Sequence, residues 1–233
     1  MRNREKKSFP TILFASLITV STSLYAENTL DGYYIGLDLS SLTGDDEGSK
    51  KVSGVSDRFD FEAKPKGYGL GLTLGYDAIF SDHFLMGIEL AGFGYNVDET
   101  TTPINYNNDP PTLTTCTYIT DLKYKFEAKL KAGYAFNEKK SSIYVTGGYS
   151  AAKIDRTYTT VSSGNFTNDD WNQGYVLGIG TEHLLSDKLA LKIEHTHSSY
   201  GTEDINTNAA WANSVQEIDF YDDTTHIGLQ YRF

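Results

Sequence analysis

A single cysteine, Cys116, is all the 233-residue sequence offers for covalent cross-linking. An internal disulfide is therefore excluded, and an exported chain of this size must be held by packing and sheet closure, leaving Cys116 as an inert loop thiol. Long apolar runs are missing too. After the first 20 positions no stretch approaches the roughly 20 apolar residues that a spanning helix requires. Positive charge is also scarce, with 20 lysines and arginines against 31 aspartates and glutamates. Nucleic acid is a poor partner for such a chain, because binding phosphate needs a basic surface. Mean hydropathy is only −0.40, which does not exclude a membrane barrel, since every second residue of its strands faces away from lipid.

What is present begins with a leader. Arg2, Arg4, Lys6 and Lys7 precede an apolar run over residues 9–20 and a small, polar exit over residues 21–26. This pattern reads as a secretory signal peptide over residues 1–26, with cleavage expected after Ala26 and residues 27–233 forming the mature domain. No cysteine follows Ala26, which argues against a lipoprotein. Loss of the leader takes away four basic residues and Glu5, leaving 16 basic against 30 acidic residues.

Residues 118–136 carry the strongest signal. Even positions hold Tyr118, Leu122, Tyr124, Phe126, Ala128, Leu130, Ala132, Tyr134 and Phe136, while odd ones hold Asp121, Lys123, Lys125, Glu127, Lys129 and Lys131. Successive side chains of a strand point to opposite faces, so one face here is apolar and the other ionic. The same period of two recurs at Tyr33 to Leu39, Tyr68 to Tyr76, Phe84 to Leu90, Ile143 to Tyr149, Trp171 to Ile179, Leu189 to Ile193 and Ile227 to Phe233, giving eight candidate strands. Glycines at 67, 69, 71, 75, 174, 178 and 180 share the ionic face with Glu89, Glu182, Lys192, Glu194 and Arg232, which suggests small residues making room for long charged ones in a narrow bore.

Connections alternate in length. Residues 77–82, 137–142 and 185–188 read as tight turns, and residues 41–66, 97–117, 155–170 and 199–224 as long loops. Short periplasmic turns, long extracellular loops and an even strand number describe an all-β, eight-stranded, antiparallel, up-and-down transmembrane barrel. Tyr76, Phe80, Phe84, Tyr134, Phe136, Tyr231 and Phe233 fall near the short turns, where rings can straddle a lipid boundary.

The stretch GYVLGIGTEHLLSDKLALKIEHTHSSYG, residues 174–201, resembles the small eight-stranded outer-membrane barrels of the outer-membrane protein A and opacity-protein type, often called porin-family proteins. Its glycine-spaced strand, the turn at Ser186 and Asp187, the inward Glu194 and the loop start at Ser199, Tyr200 and Gly201 carry the likeness, while His195 and His197 stand where that family often has tyrosine. The ending HIGLQYRF, with Ile227, Leu229, Tyr231 and Phe233, resembles the family's C-terminal insertion signal for the barrel-assembly machinery. The resemblance implies a monomer in the bacterial outer membrane, surrounded by lipid and lipopolysaccharide. Because the chain stops at Phe233, no wall-binding domain is expected after the barrel.

Candidate functional residues fall into three groups. Asp38, Glu89, Lys123, Lys125, Glu127, Lys129, Lys131, Glu182, Lys192, Glu194 and Arg232 are expected to form a paired polar network inside the barrel, in preference to a conductive path. His195, His197 and Ser199 share the lipid-type face. A His and a Ser two apart resemble the site of outer-membrane lipid A deacylases, with Glu203, Asp204 or Glu217 as candidate orienting carboxylates, against a bland reading as interfacial rings. Their spacing also suits a metal, yet a third ligand is not evident, and no cofactor is expected. The long loops hold Asp98, Glu99 and Asp109, and Glu203, Asp204, Glu217, Asp219, Asp222 and Asp223, an acidic surface suited to a cationic host ligand or bridging divalent cations. The sequon Asn165, Phe166 and Thr167 is assigned no role. The leading expectation is a non-enzymatic barrel serving envelope integrity, adhesion or surface exposure. A small-solute channel, a lipid-modifying enzyme and a soluble lipocalin-type barrel are its rivals.

Overall fold

The structure is a computed structural model describing residues 29–52, 58–81, 83–101, 104–105, 117–160, 164–206 and 214–233. The leader, Cys116 and Asp109 lie outside the described residues. Ten strands follow in chain order: β1 (Gly32–Val52), β2 (Arg58–Ala63), β3 (Lys66–Phe80), β4 (Phe84–Thr101), β5 (Ile104–Asn105), β6 (Thr117–Phe136), β7 (Ser141–Thr160), β8 (Gly164–Ser186), β9 (Leu189–Asn206) and β10 (Ser214–Arg232). Eight of them close a ring in the order β1, β3, β4, β6, β7, β8, β9, β10, and β10 returns to β1 from Tyr34↔Arg232 to Val52↔Ser214. Every pairing is antiparallel, and at the long-hairpin end β2 is a short addition beside β1 and β5 a two-residue one beside β2.

The alternation decides what faces where. Leu37, Leu72, Ile88, Leu130, Val145, Ile179, Ile193 and Leu229 all point outward and are exposed, whereas Asp38, Glu89, Lys129, Glu182, Lys192 and Glu194 are buried inside the ring. A ring of eight strands leaves a bore that side chains alone can fill, and closure removes every sheet edge along the paired wall. Tyr33, Tyr76, Phe80, Phe84, Tyr134, Phe136, Tyr231 and Phe233 are exposed aromatics toward the short turns, and Tyr68, Tyr124, Tyr149, Trp171 and Tyr175 form a second girdle toward the long hairpins.

Three expectations from the sequence are corrected here. Much of what reads as long loop is strand: β1 runs on to Val52, β7 to Thr160, and β8 and β10 begin at Gly164 and Ser214. Beyond the outer girdle the polarity of the strands inverts. Leu42, Val97, Ile154 and Phe220 turn inward and are buried, while Glu47, Asp98, Asp169 and Asp219 are exposed. There the wall stands in water around an apolar interior, as a soluble sheet does.

The second correction concerns β6, where Tyr118 and Leu122 are buried inside and Lys123 lies outside, opposite to their expected faces. Leu122 pairs with Ile154 and Tyr124 with Lys153, so Lys123 is an extra residue without a partner in β7. Such a bulge shifts the strand by one residue and exchanges the faces on its far side. The glycines also act differently from expectation. A Cβ at Gly71 would run into the Phe93 ring, at Gly75 into Tyr34 and at Gly180 into Tyr144, so they admit aromatic rings before charged chains.

Candidate functional site

Strand β6 lays out the bore from the short-turn end upward, because Lys131, Lys129, Lys125, Leu122 and Tyr118 all point inward at successive heights. At the lowest level Lys131 reaches Glu182 at 2.7 Å and Asp77 at 3.1 Å. Arg232 joins the same two carboxylates at 2.9 Å each. The Tyr34 ring lies against both cations, 4.9 Å from the Lys131 ammonium and 4.8 Å from the Arg232 guanidinium. Below them the backbone of Leu30 crosses the mouth. Its N–H donates to Lys139 O at 2.9 Å, its carbonyl accepts from Arg232, and its side chain packs with Leu184 and Ala190.

The middle level is centred on Lys129, whose ammonium contacts Glu89 at 3.0 Å, Glu127 at 3.1 Å and Glu194 at 2.5 Å. Lys192 lies beside it, 3.0 Å from Asp38 and 3.3 Å from Glu89. The Tyr34 and Tyr144 hydroxyls donate to Glu89 and Glu194 at 2.8 and 3.0 Å. One level higher, Lys125 pairs with Asp222 at 2.8 Å and Glu127 at 3.0 Å, and the Tyr200 hydroxyl donates to Asp222 at 3.0 Å. His226 sits near this junction with Nδ1 2.8 Å from Ser40 Oγ and Nε2 3.3 Å from Thr196 Oγ1. Ions so far from water persist only when paired and hydrogen-bonded, and each cation here meets at least two acceptors.

Above the ions lies an apolar plug of Leu42, Phe93, Tyr95, Val97, Leu122, Ile154, Tyr200 and Phe220. A last polar layer covers it, in which Tyr118 and Thr120 donate to Asp46 at 2.7 and 2.6 Å and Arg156 approaches the same carboxylate at 3.3 Å. The bore is thus closed by charge, then by hydrocarbon, then by charge again.

Ten of the eleven residues expected in the network are buried together inside the ring. Lys123 is the exception: its side chain is 43% exposed and it pairs with Asp121 on the outer surface, displaced by the bulge it creates. Sequence reasoning missed Asp77 and Asp222, which it assigned to a turn and a loop, together with Asp46, Arg156, Tyr34 and Tyr144. Parity was the signal for the first two: Asp77 lies two positions from Gly75, and Asp222 keeps the even numbering of the inward Arg232, above the strand recognised at residues 227–233.

On the outer surface His195, His197 and Asp223 point outward. His197 Nδ1 lies 2.9 Å from Asp223 Oδ1, and His195 Nδ1 lies 3.0 Å from Thr225 Oγ1. The described carboxylate beside His197 is therefore Asp223, not Glu217, and the side chains of Glu203 and Asp204 lie outside the described ones. Farther up, Asp45, Glu47 and Glu62 bring one oxygen each within 4.8 Å of one another, with Lys64 alongside. Hydrogen bonding to Glu62 raises the Lys64 ammonium above its ordinary pKa. Ile227, Leu229, Tyr231 and Phe233 are exposed on the outer face of the closing strand and its end.

A family model described as "Outer membrane protein beta-barrel domain" matches residues 12–233. Among solved structures, the chain is similar to the outer membrane protein OprG from Pseudomonas aeruginosa at 16% identity, with 87% of this chain and 96% of that one covered and a TM-score of 0.54. It is also similar to the outer membrane protease OmpT from Escherichia coli at 9% identity, covering 89% of this chain and 100% of that one, with a TM-score of 0.50. These likenesses concern the fold. No curated protein matches the chain.

Proposed function

The chain belongs to the outer membrane protein β-barrel family and resides in the bacterial outer membrane, and from that premise we propose that it is a non-conducting, non-enzymatic barrel that displays an acidic surface outside the cell. It serves envelope integrity, adhesion or surface exposure. The observation that carries this reading is the occupied bore, where Lys129 alone engages three carboxylates beneath an apolar plug. A solute crossing it would have to separate buried ion pairs and displace packed rings, and neither concedes space without a large cost. Lipid and lipopolysaccharide surround the apolar belt, and the barrel-assembly machinery reads Ile227, Leu229, Tyr231 and Phe233 during insertion. Planar-bilayer recordings of the purified protein test the reading: a flat baseline is expected, and stepwise currents that scale with protein added would replace it with a channel.

A second reading has one observation in its favour, the Asp223 carboxylate on His197 Nδ1. A histidine so held, with Ser199 two residues farther on the same strand, suits cleavage of a lipid acyl ester. Mass spectra of lipid A from cells expressing the protein or its Ser199→Ala variant decide between the two. Identical acyl patterns support the scaffold, and a chain lost only with intact Ser199 supports the enzyme.

A further inference from the structure

Strands β8 and β9 are hydrogen-bonded from Tyr175↔Ser199 down to Ser186↔Leu189, and no higher. Both strands nevertheless continue upward. β8 stays paired with β7 as far as Thr160↔Gly164, and β9 stays paired with β10 as far as Val215↔Asn206. The edge of β8 over residues 164–174 and that of β9 over residues 200–206 therefore face outward from their sheets without a partner among the described residues. The wall is split at this seam, starting at the level of Tyr175 in the outer aromatic girdle.

The cause is local. Between Asp219↔Thr202 and Tyr221↔Ser199 the register slips, setting Tyr200 and Gly201 against the single residue Phe220. Gly201 has φ +71°, a left-handed conformation that a side chain resists. A bulge built on such a glycine bends its strand and strengthens its twist, which carries β9 away from β8. At the foot of the split the two strands still touch closely, since a Cβ at Gly174 would run into Ser199 O and Tyr200 Cα.

Open edges are ordinarily blunted by proline or lysine. Neither residues 164–174 nor residues 200–206 contain either one. The slit is rimmed instead by exposed carboxylates, Asp170 on β8 and Asp219 on β10 beside Thr202. Asp169 is also there, tied to Lys153 at 2.9 Å. The Trp171 ring leans away from the slit, 5.7 Å from the Phe126 ring of β6, so the β8 edge itself is not covered by it.

We propose that this slit receives an extended basic segment of a partner polypeptide, which adds as a strand between β8 and β9 and completes the wall outside the membrane. The proposal deepens the display reading by giving the class of its partner. Main-chain hydrogen bonds to the two free edges provide the binding, and the aspartates select for positive charge.

The test uses the full chain in phospholipid nanodiscs and a short fluorescent peptide of alternating lysine and valine. A second peptide of the same sequence has alternate backbone amides N-methylated, which keeps the charge and removes the edge donors. Fluorescence anisotropy is expected to show N-methylation weakening binding by about tenfold or more. Within residues 168–173 and 202–205, hydrogen exchange is expected to show fast amides at the alternate positions not bonded to β7 or β10, and these become protected only with the unmethylated peptide. Equal affinity of the two peptides would reduce the contact to charge and overturn the proposal. Slow exchange at those amides in the free protein would overturn it as well, because the edges would already be paired within the chain. Gln173→Pro, checked for folding by gel mobility, should lose the binding, and unchanged affinity for that folded variant counts against the edge. Bilayer recordings on the same preparation report separately on the sealed bore, so the two readings fail independently.

Discussion

Replacing Lys129 with methionine removes an ammonium shared by three carboxylates and leaves one of them, Glu194, without a cation. Glu89, Glu127 and Glu194 all approach Lys129 within hydrogen-bonding distance, and all four side chains are fully buried. Glu89 keeps Lys192 at 3.3 Å and Glu127 keeps Lys125 at 3.0 Å, but Glu194 is left with the Tyr144 hydroxyl at 3.0 Å. Removing one member of a buried pair typically costs about 3 to 5 kcal/mol, most of it the burden of a desolvated charge without a partner. The matched control is Lys123→Met on the same strand. Lys123 pairs with Asp121 where water screens both, and such contacts contribute only about 0 to 1 kcal/mol. Urea unfolding of each variant in lipid vesicles, followed by tryptophan fluorescence and by the mobility shift of unboiled samples, gives the two midpoints. Lys129→Met should fall well below Lys123→Met at an unchanged slope. Coincident midpoints for the two lysines would refute the account of the bore.

Glu127→Ala should destabilise less than Lys129→Met, because Lys125 retains Asp222 and Lys129 retains Glu89 and Glu194; the same urea titration ranks them, and a reversed order contradicts the partner assignments. Leu72→Arg sets a cation on the outward face among aliphatic neighbours and should cost about 2 to 4 kcal/mol with reduced insertion, visible as less heat-modifiable protein in membrane fractions. Gly71→Val forces the Phe93 ring from its seat and should cost about 1 to 3 kcal/mol, whereas Gly94→Ala, which meets nothing, should be nearly silent in the same assay.

How legible each part was follows from the physics acting on it. Within lipid, the exterior must be apolar and the bore polar, so Leu37, Leu72, Leu130 and Leu229 announce the strands at period two, and the ionic residues between them announce the bore. Above the lipid the rule reverses. Leu42, Ile154 and Phe220 now point inward, and the exposed Glu47 and Asp219 made continuous strands look like acidic loops. Lys123 was misplaced because a bulge has no signature in the alternation beyond the slip it causes, and residues 118–136 read smoothly across it. The pairing of Asp77 with Arg232, and of Asp222 with Lys125, joins positions far apart in sequence, and only ring closure brings them together. The split between β8 and β9 had one visible sign, Gly201, which the sequence presents as an ordinary loop glycine.

The inversion of polarity across the wall is the claim on which the rest stands, and nitroxide labels in bilayers test it most directly. Labels placed singly at Leu37, Leu72, Leu130, Ile179, Ile193 and Leu229 sit on the exposed apolar face of six different strands of the ring. The account predicts that each is relaxed strongly by oxygen, which concentrates in lipid, and weakly by a water-soluble nickel chelate. Labels at these positions that respond to nickel and not to oxygen would place the apolar face elsewhere and contradict it.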